Sequence, residues 1–293
     1  EWALRFRHRR RAGDDVNGLR PEARKVRPED LAGHLRVVAL GDSITHGMDL
    51  PYAQTYPAIL GDILWERLGG RPVTVINAGV AGQTALHGLQ RLWRDVIRFR
   101  PHITLIAFGL NDASLSQRPQ DVRRERDEYP EGFSGMLNRL HLYRTLRARG
   151  RRLLIGLGLR PASDYVDVSI ARPRSSMRAY GAALRELARR IRRHTAGQVV
   201  LLTMHPIASA AGDGSEANIQ RDEQARINRQ YNDVVRAVAR QTGAGLVDVE
   251  HAFQQRDAGS LLQTDGVHLT AEGQCFLAEI ICQSLFSQGL LPE

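Results

Sequence analysis

Residues 35–47 read Leu35-Arg36-Val37-Val38-Ala39-Leu40-Gly41-Asp42-Ser43-Ile44-Thr45-His46-Gly47. The first six are largely apolar, carry β-branched side chains and are too few for a helix, so they predict a buried strand. Ser43 then falls just past that strand's C-terminal end, where open α/β sheets bind their ligands. Gly41 and Gly47 bracket the serine and allow a sharp turn and a close backbone approach. Taken alone, a serine in such a turn is most often a cap or a turn residue. The rest of the chain changes that reading.

Outward from this stretch, strand-like and helical patterns alternate. Tyr56, Ile59, Leu60, Ile63, Leu64 and Leu68 recur at helical spacing, with Thr55 as the N-cap and Gly69-Gly70 as the stop. Pro72 to Asn77 predicts a second strand, and Leu86, Leu89, Leu92, Trp93, Val96 and Ile97 the apolar stripe of the next helix. His102 to Phe108 predicts a third strand, Gln198 to Met204 a fourth and Gly245 to Val249 a fifth. Met177, Tyr180, Leu184, Leu187 and Ile191 mark one later helix; Ile227, Tyr231, Val234, Val235 and Val238 mark another. Ala271 to Phe286 is the last. This alternation argues an α/β fold with a parallel sheet covered on both faces.

Two regions stand outside the pattern. Residues 1–33 are polar and arginine-rich, with turn chemistry at Gly13-Asp14-Asp15 and Asn17-Gly18 and an alternating Trp2, Leu4 and Phe6. They predict a basic N-terminal extension to a domain spanning 34–293. Residues 113–175 predict an insertion over one end of the sheet, densely charged at 121–131 and helical at 133–149. Leu153 to Leu159 fits a strand, a helix turn or a loop wall equally well.

Composition bounds the function. At 293 residues with 42% hydrophobic and 25% charged residues, the chain is globular with a sizeable core. The formal charge of +9 rests on arginine, since Lys25 is the only lysine. Such a charge suits nucleic acid or an anionic surface. The arginines are scattered, however, and no zinc-finger, RRM or helix-turn-helix pattern accompanies them, so no nucleic-acid partner is expected. Cys275 and Cys282 lie on one helix, about 10 Å apart over two turns, which is too far for a disulfide; both are expected in the core. No run of apolar residues is long enough to span a membrane. No metal-ligand spacing, phosphate loop or Gly-x-Ser-x-Gly elbow is present.

Three further stretches fall beside strand ends or helix starts: Asn77 to Thr84, Gly109-Leu110-Asn111-Asp112, and Asp265-Gly266-Val267-His268-Leu269-Thr270. Each has an ordinary reading, as turn glycines, a loop closure and a helix N-terminus with Thr270 as cap. Together they hold every part of an acyl-transfer serine site. A serine hydroxyl needs a neighbouring base, which imidazole supplies near neutral pH. Asp265, three residues before His268, can take the proton of one ring nitrogen and leave the other to face Ser43. Donors for a developing oxyanion are then the Ser43 and Gly82 backbone N–H groups and the Asn111 amide. His46 reads as an exposed rim histidine; neither His87 nor His205 has a carboxylate at an arguable spacing.

These residues resemble the SGNH, or GDSL-type, hydrolases. Gly-Asp-Ser-x-x-x-Gly at 41–47 is similar to that family's first block, Asn-x-x-x-x-Gly at 77–82 to its second, Gly-x-Asn-Asp at 109–112 to its third and Asp-x-x-His at 265–268 to its last. All four occur in family order, over about residues 34–290. The resemblance implies a flavodoxin-like three-layer α/β/α sandwich with a five-stranded parallel sheet. It also implies ester hydrolysis on Ser43 with Asp265 and His268, an oxyanion hole of Ser43, Gly82 and Asn111, and no metal or cofactor. Ile44 and Thr45 depart from the family's usual first block, and the insertion is longer than in compact members.

The expected substrates are small-molecule or glycan esters, with short acyl groups or carbohydrate O-acetyl groups favoured. Lysophospholipase or thioesterase activity is the alternative, and a non-catalytic basic-surface module the rival from another class. The chain starts at Glu1 rather than methionine, which leaves room for a removed leader or anchor. The N-terminal region is loosely similar to that of anchored bacterial envelope proteins, so an extracytoplasmic location is expected, with a cytoplasmic one as alternative.

Overall fold

A computed structural model describes residues 21–116, 172–208, 216–256 and 258–292. Five parallel strands form the sheet: β1 (Leu35–Gly41), β2 (Val73–Gly79), β3 (Ile103–Ala107), β4 (Gln198–Leu202) and β5 (Gly245–Val247). Their order is β2-β1-β3-β4-β5. β1 comes first in the chain but lies inside the sheet, with Gly41 in register with Gly79 on one side and Ala107 on the other. The winding direction therefore reverses at β1, and a crevice opens beyond its C-terminal end. Ser43 stands there.

The helices that cover the sheet or carry the Ser43 turn are α1 (Ser43–His46), α2 (Tyr56–Arg67), α3 (Ala85–Asp95), α4 (Met177–Thr195), α5 (Glu216–Thr242) and α6 (Ala271–Ser287). Leu35, Val37 and Ala39 of β1 pack with Leu60 and Leu64 of α2 and with Leu277, Ile281 and Leu285 of α6. Val38 and Leu40 point the other way and are also buried, beneath the layer in which α3, α4 and α5 pack side by side. A strand covered on both faces needs no polar alternation, which is why β1 reads as a continuous apolar run.

The predicted α3 stripe is only partly right. Leu92 is buried, but Leu86 and Trp93 are 58% and 63% exposed. The buried face carries Arg91 and Asp95 instead. Arg91 Nη1 donates to Ala78 O at 2.7 Å and Nη2 to Gly41 O at 2.8 Å, while Nε donates to Gln83 Oε1 at 2.5 Å. Asp95 pairs with Nη1 at 3.1 Å. One buried guanidinium thus satisfies the carbonyls where β1 and β2 end, and so sets the spacing of the two loops beyond them. Arg91→Ala takes this donor from Ala78 O and Gln83, while Gly41 O keeps the Val80 N–H and Asp95 keeps Arg94. It is expected to cost about 3 kcal/mol, read as a lowered denaturation midpoint with an unchanged m-value.

The chain divides into two compact units, residues 1–113 with 175–293, and residues 114–174. Of the second, Leu115–Ser116 pairs antiparallel with Arg172–Pro173. The readings at 121–131, 133–149 and 153–159 lie outside the described residues, as do Trp2, Leu4 and Phe6. Within the N-terminal region, Pro21–Lys25 is helical and Pro28–Leu31 forms a 3-10 turn, burying Ala23 and Leu31. Both cysteines are free, but only Cys282 is in the core; Cys275 is partly exposed and donates to Glu279. Among the described residues no helix is long and apolar enough to cross a membrane.

Candidate functional site

α1 is a single turn starting at Ser43. Asp42 caps it, its Oδ1 accepting the Ile44 N–H at 3.0 Å, and Gly47 closes it in the left-handed conformation. A β-carbon at Gly79 would lie 2.2 Å from His46 N, so glycine there lets the end of β2 touch the α1 backbone. Gly82 is different. It is exposed, with φ +78° and no heavy atom within 4 Å of where a β-carbon would stand, so its glycine serves the backbone conformation rather than close packing.

Residues 225 positions apart meet here. His268 Nε2 lies 3.0 Å from Ser43 Oγ, and His268 Nδ1 lies 2.5 Å from Asp265 Oδ2. Asp265 Oδ1 also accepts the backbone N–H groups of Val267 and His268, each at 2.9 Å. The aspartate therefore ties its own turn together as well as holding the ring. Gly266, at φ +72°, supplies the bend. Three hydrogen bonds on Asp265 act against its partial burial and hold the carboxyl below its ordinary pKa. It stays ionised and accepts the Nδ1 proton, which makes Nε2 the nitrogen that can take one from Ser43.

Three buried side chains that the sequence did not single out position this relay. Gln274 of α6 accepts the Tyr56 N–H at 2.8 Å and donates to Ile44 O at 2.9 Å, joining the Ser43 turn to the helix that follows the Asp265–His268 turn. His205 Nε2 donates to Val267 O at 2.7 Å, and burial pushes its pKa down to about 4, so it holds that turn as a neutral ring. Arg91 supports the other side, as described above. Gln274 and His205 are far in sequence from what they touch, and Arg91 reaches Gly41 O across 50 positions, which left no local signal. His46, expected on an exposed rim, is 2% exposed with Nδ1 3.3 Å from Gly79 O. His87 belongs to the capping box of α3 with Thr84.

The two residues of the Asn111-Asp112 pair separate in role. Asn111 Nδ2 donates to Asp42 Oδ2 at 3.1 Å, which sets the amide beside the Ser43 turn. Asp112 accepts the Ala85 N–H at 3.0 Å and so fixes the start of α3. Asp42 is fully enclosed. Burial raises its carboxyl to about 6, although hydrogen bonds from Ile44 and Asn111 and the nearby His268 pull it down. A folded-state pKa above the ordinary 3.8 means that ionising Asp42 opposes folding: the penalty is absent below about pH 4 and complete above about pH 6. Asp42→Asn removes this ionisation but turns its NH₂ against the Asn111 amide, so it is expected to be more favourable to stability at pH 8 than at pH 3.5, while slowing turnover. Melting curves at the two pH values check this, and an equal effect at both would refute it.

Among the described residues no group of three His, Cys, Asp or Glu side chains is placed to hold a metal ion. The arrangement instead offers a hydroxyl, a general base and an orienting carboxylate, with amide donors within the same loops.

A sequence model of the GDSL-like Lipase/Acylhydrolase family matches residues 39–274. An arylesterase of Vibrio mimicus is 38% identical over 87 residues, covering 30% of this chain and 42% of that protein. An acetylxylan esterase of Xylanibacter ruminicola is 26% identical over 263 residues, covering 86% of this chain and 43% of its own length. The matches thus span less than half of either relative. Among solved structures, the acetylxylan esterase Axe2 of Geobacillus stearothermophilus aligns with a TM-score of 0.55 at 19% identity, over 85% of this chain and 93% of its own. At that identity the likeness is one of fold.

Proposed function

The chain belongs to the GDSL-like lipase/acylhydrolase family, and from this premise we propose that it is a serine ester hydrolase working through an acyl-enzyme on Ser43. The observation that carries the proposal is the unbroken path from Ser43 Oγ through His268 to Asp265, at 3.0 and 2.5 Å, at the C-terminal edge of the sheet. Ser43 Oγ attacks the ester carbonyl carbon as His268 Nε2 takes its proton. The negative charge moves to the carbonyl oxygen, where the Ser43 and Gly82 N–H groups and the Asn111 amide stabilise it. Asp42 holds that amide in place. Collapse of the intermediate expels the alcohol, protonated by His268. Water then attacks the acyl-enzyme with His268 again as base, and the acid leaves.

For the substrate we favour short acyl groups, in particular O-acetyl groups on carbohydrate. The acetylxylan esterase relative, aligned over most of this chain, supports that choice. An envelope location outside the cytoplasm is part of the same proposal, and fractionation of the native host with an antibody to the chain tests it. The catalytic proposal is tested by a fluorophosphonate probe, expected to add one phosphonyl group per chain, on Ser43 by peptide mass mapping. Hydrolysis of p-nitrophenyl esters should then decline from acetyl to palmitoyl. Labelling elsewhere would sink the serine assignment, and a palmitoyl optimum would sink the short-acyl one.

A further inference from the structure

The edge of the sheet remote from Ser43 carries a second constellation of polar side chains. Arg36 is the second residue of β1, about 20 Å along the chain from the Ser43 turn. His102 immediately precedes β3, and Arg71 lies between α2 and β2. His102 Nδ1 accepts the Arg36 backbone N–H at 3.0 Å. A backbone N–H can only donate, so the single proton of the neutral ring sits on Nε2. Nε2 in turn faces Arg36 Nη2 at 3.2 Å, and a guanidinium has no acceptor. Two donors therefore point at one another.

Rearranging the ring does not remove the conflict. Flipping it would put a carbon in front of the Arg36 N–H, and protonating it would put a donor there. Burial, with the charges of Arg36 and Arg71 added, lowers the His102 pKa and keeps the ring neutral. The other contacts of the arginines are to carbonyls: Arg36 Nε to Arg100 O at 2.9 Å, and Arg71 Nη1 to Pro292 O at 3.2 Å. Among the described residues no carboxylate pairs with either.

We propose that Arg36 and the Nε2–H of His102, within the field of the Arg71 charge, form an anion site, distinct from the Ser43 site, that takes a tetrahedral phosphate group. An anionic oxygen bridging Nε2 and Nη2 accepts from both donors and offsets the repulsion among the cations. Arg36 and His102 come from separate segments of chain, and the charge of Arg71 acts on the same ring. A carboxylate brings a single negative charge, whereas a phosphate group brings up to two and so matches a place where two guanidinium charges act. The phosphate group can be that of a free ion or of a lipid headgroup.

Calorimetric titration with inorganic phosphate, against chloride at equal ionic strength, tests the site. Sedimentation with phosphatidylglycerol vesicles, against phosphatidylcholine, tests the headgroup form. Arg36→Gln and Arg71→Gln are each expected to weaken binding about tenfold or more. Arg71 lies outside the strands, so its variant serves where Arg36→Gln fails to fold. Phosphate binding lost in the variants supports the site with a soluble ligand, and vesicle binding alone, lost in the same way, supports it with a headgroup. Binding of neither probe beyond its control, or binding that both variants retain, overturns it.

Discussion

Ser43→Ala is expected to lower kcat/KM for p-nitrophenyl acetate by about 10⁴-fold or more, with the fold intact. The proposed mechanism passes every turnover through a bond to Ser43 Oγ, so removing that oxygen removes the covalent route rather than weakening it. What remains is water attacking a carbonyl held against the amide donors. His268→Ala is expected to cost nearly as much, because a neutral hydroxyl without its base is a poor nucleophile. The double variant should then lose little more than either single one, since the two groups act as a unit. Multiplying losses, or a Ser43→Ala enzyme that keeps more than a few per cent of its rate, would mean that another group performs the attack.

Asp265→Asn is the second large effect, expected at about 10³- to 10⁴-fold in kcat. The reason is the proton inventory of the turn. Asp265 Oδ1 accepts two backbone N–H groups and Oδ2 accepts His268 Nδ1–H, so all its contacts are accepted bonds. An asparagine can keep its oxygen on the backbone donors only by turning its NH₂ toward Nδ1. Nδ1 then becomes an acceptor, the ring proton moves to Nε2, and the base is capped on the side that faces Ser43. Asp265→Ala lacks this wrong donor and admits water to a side-chain position that is 46% exposed. The alanine variant should therefore be no slower than the asparagine variant. Steady-state rates of the two decide it: both lose the carboxylate's charge, so a much slower alanine variant would point to the bonds that hold the turn instead of control of the tautomer.

Much of this was legible in the sequence because it is local. The apolar run at 35–40 announced a strand buried on both faces, and Ser43 followed it directly. Asp265 and His268 lie three residues apart, close enough for their hydrogen bond to form within one turn. The regular alternation of strand and helix sufficed for the parallel sheet. Exposure was less legible: Leu86 and Trp93 of the α3 stripe and His46 were misplaced, the first two because Arg91 and Asp95 take part of the buried face of α3.

What the sequence by itself determined is the class of fold and the chemical types at the site, since both depend on short-range periodicity and on residues within a few positions of each other. Only the tertiary structure decided that Ser43 and His268, 225 residues apart, stand at 3.0 Å. The strand order does this by placing β1 between β2 and β3. Gln274, His205 and Arg91 then fix the loops through buried hydrogen bonds across long separations. It also brought Arg36 and His102 face to face. Such contacts have no sequence signature, because their partners meet only when the sheet has assembled.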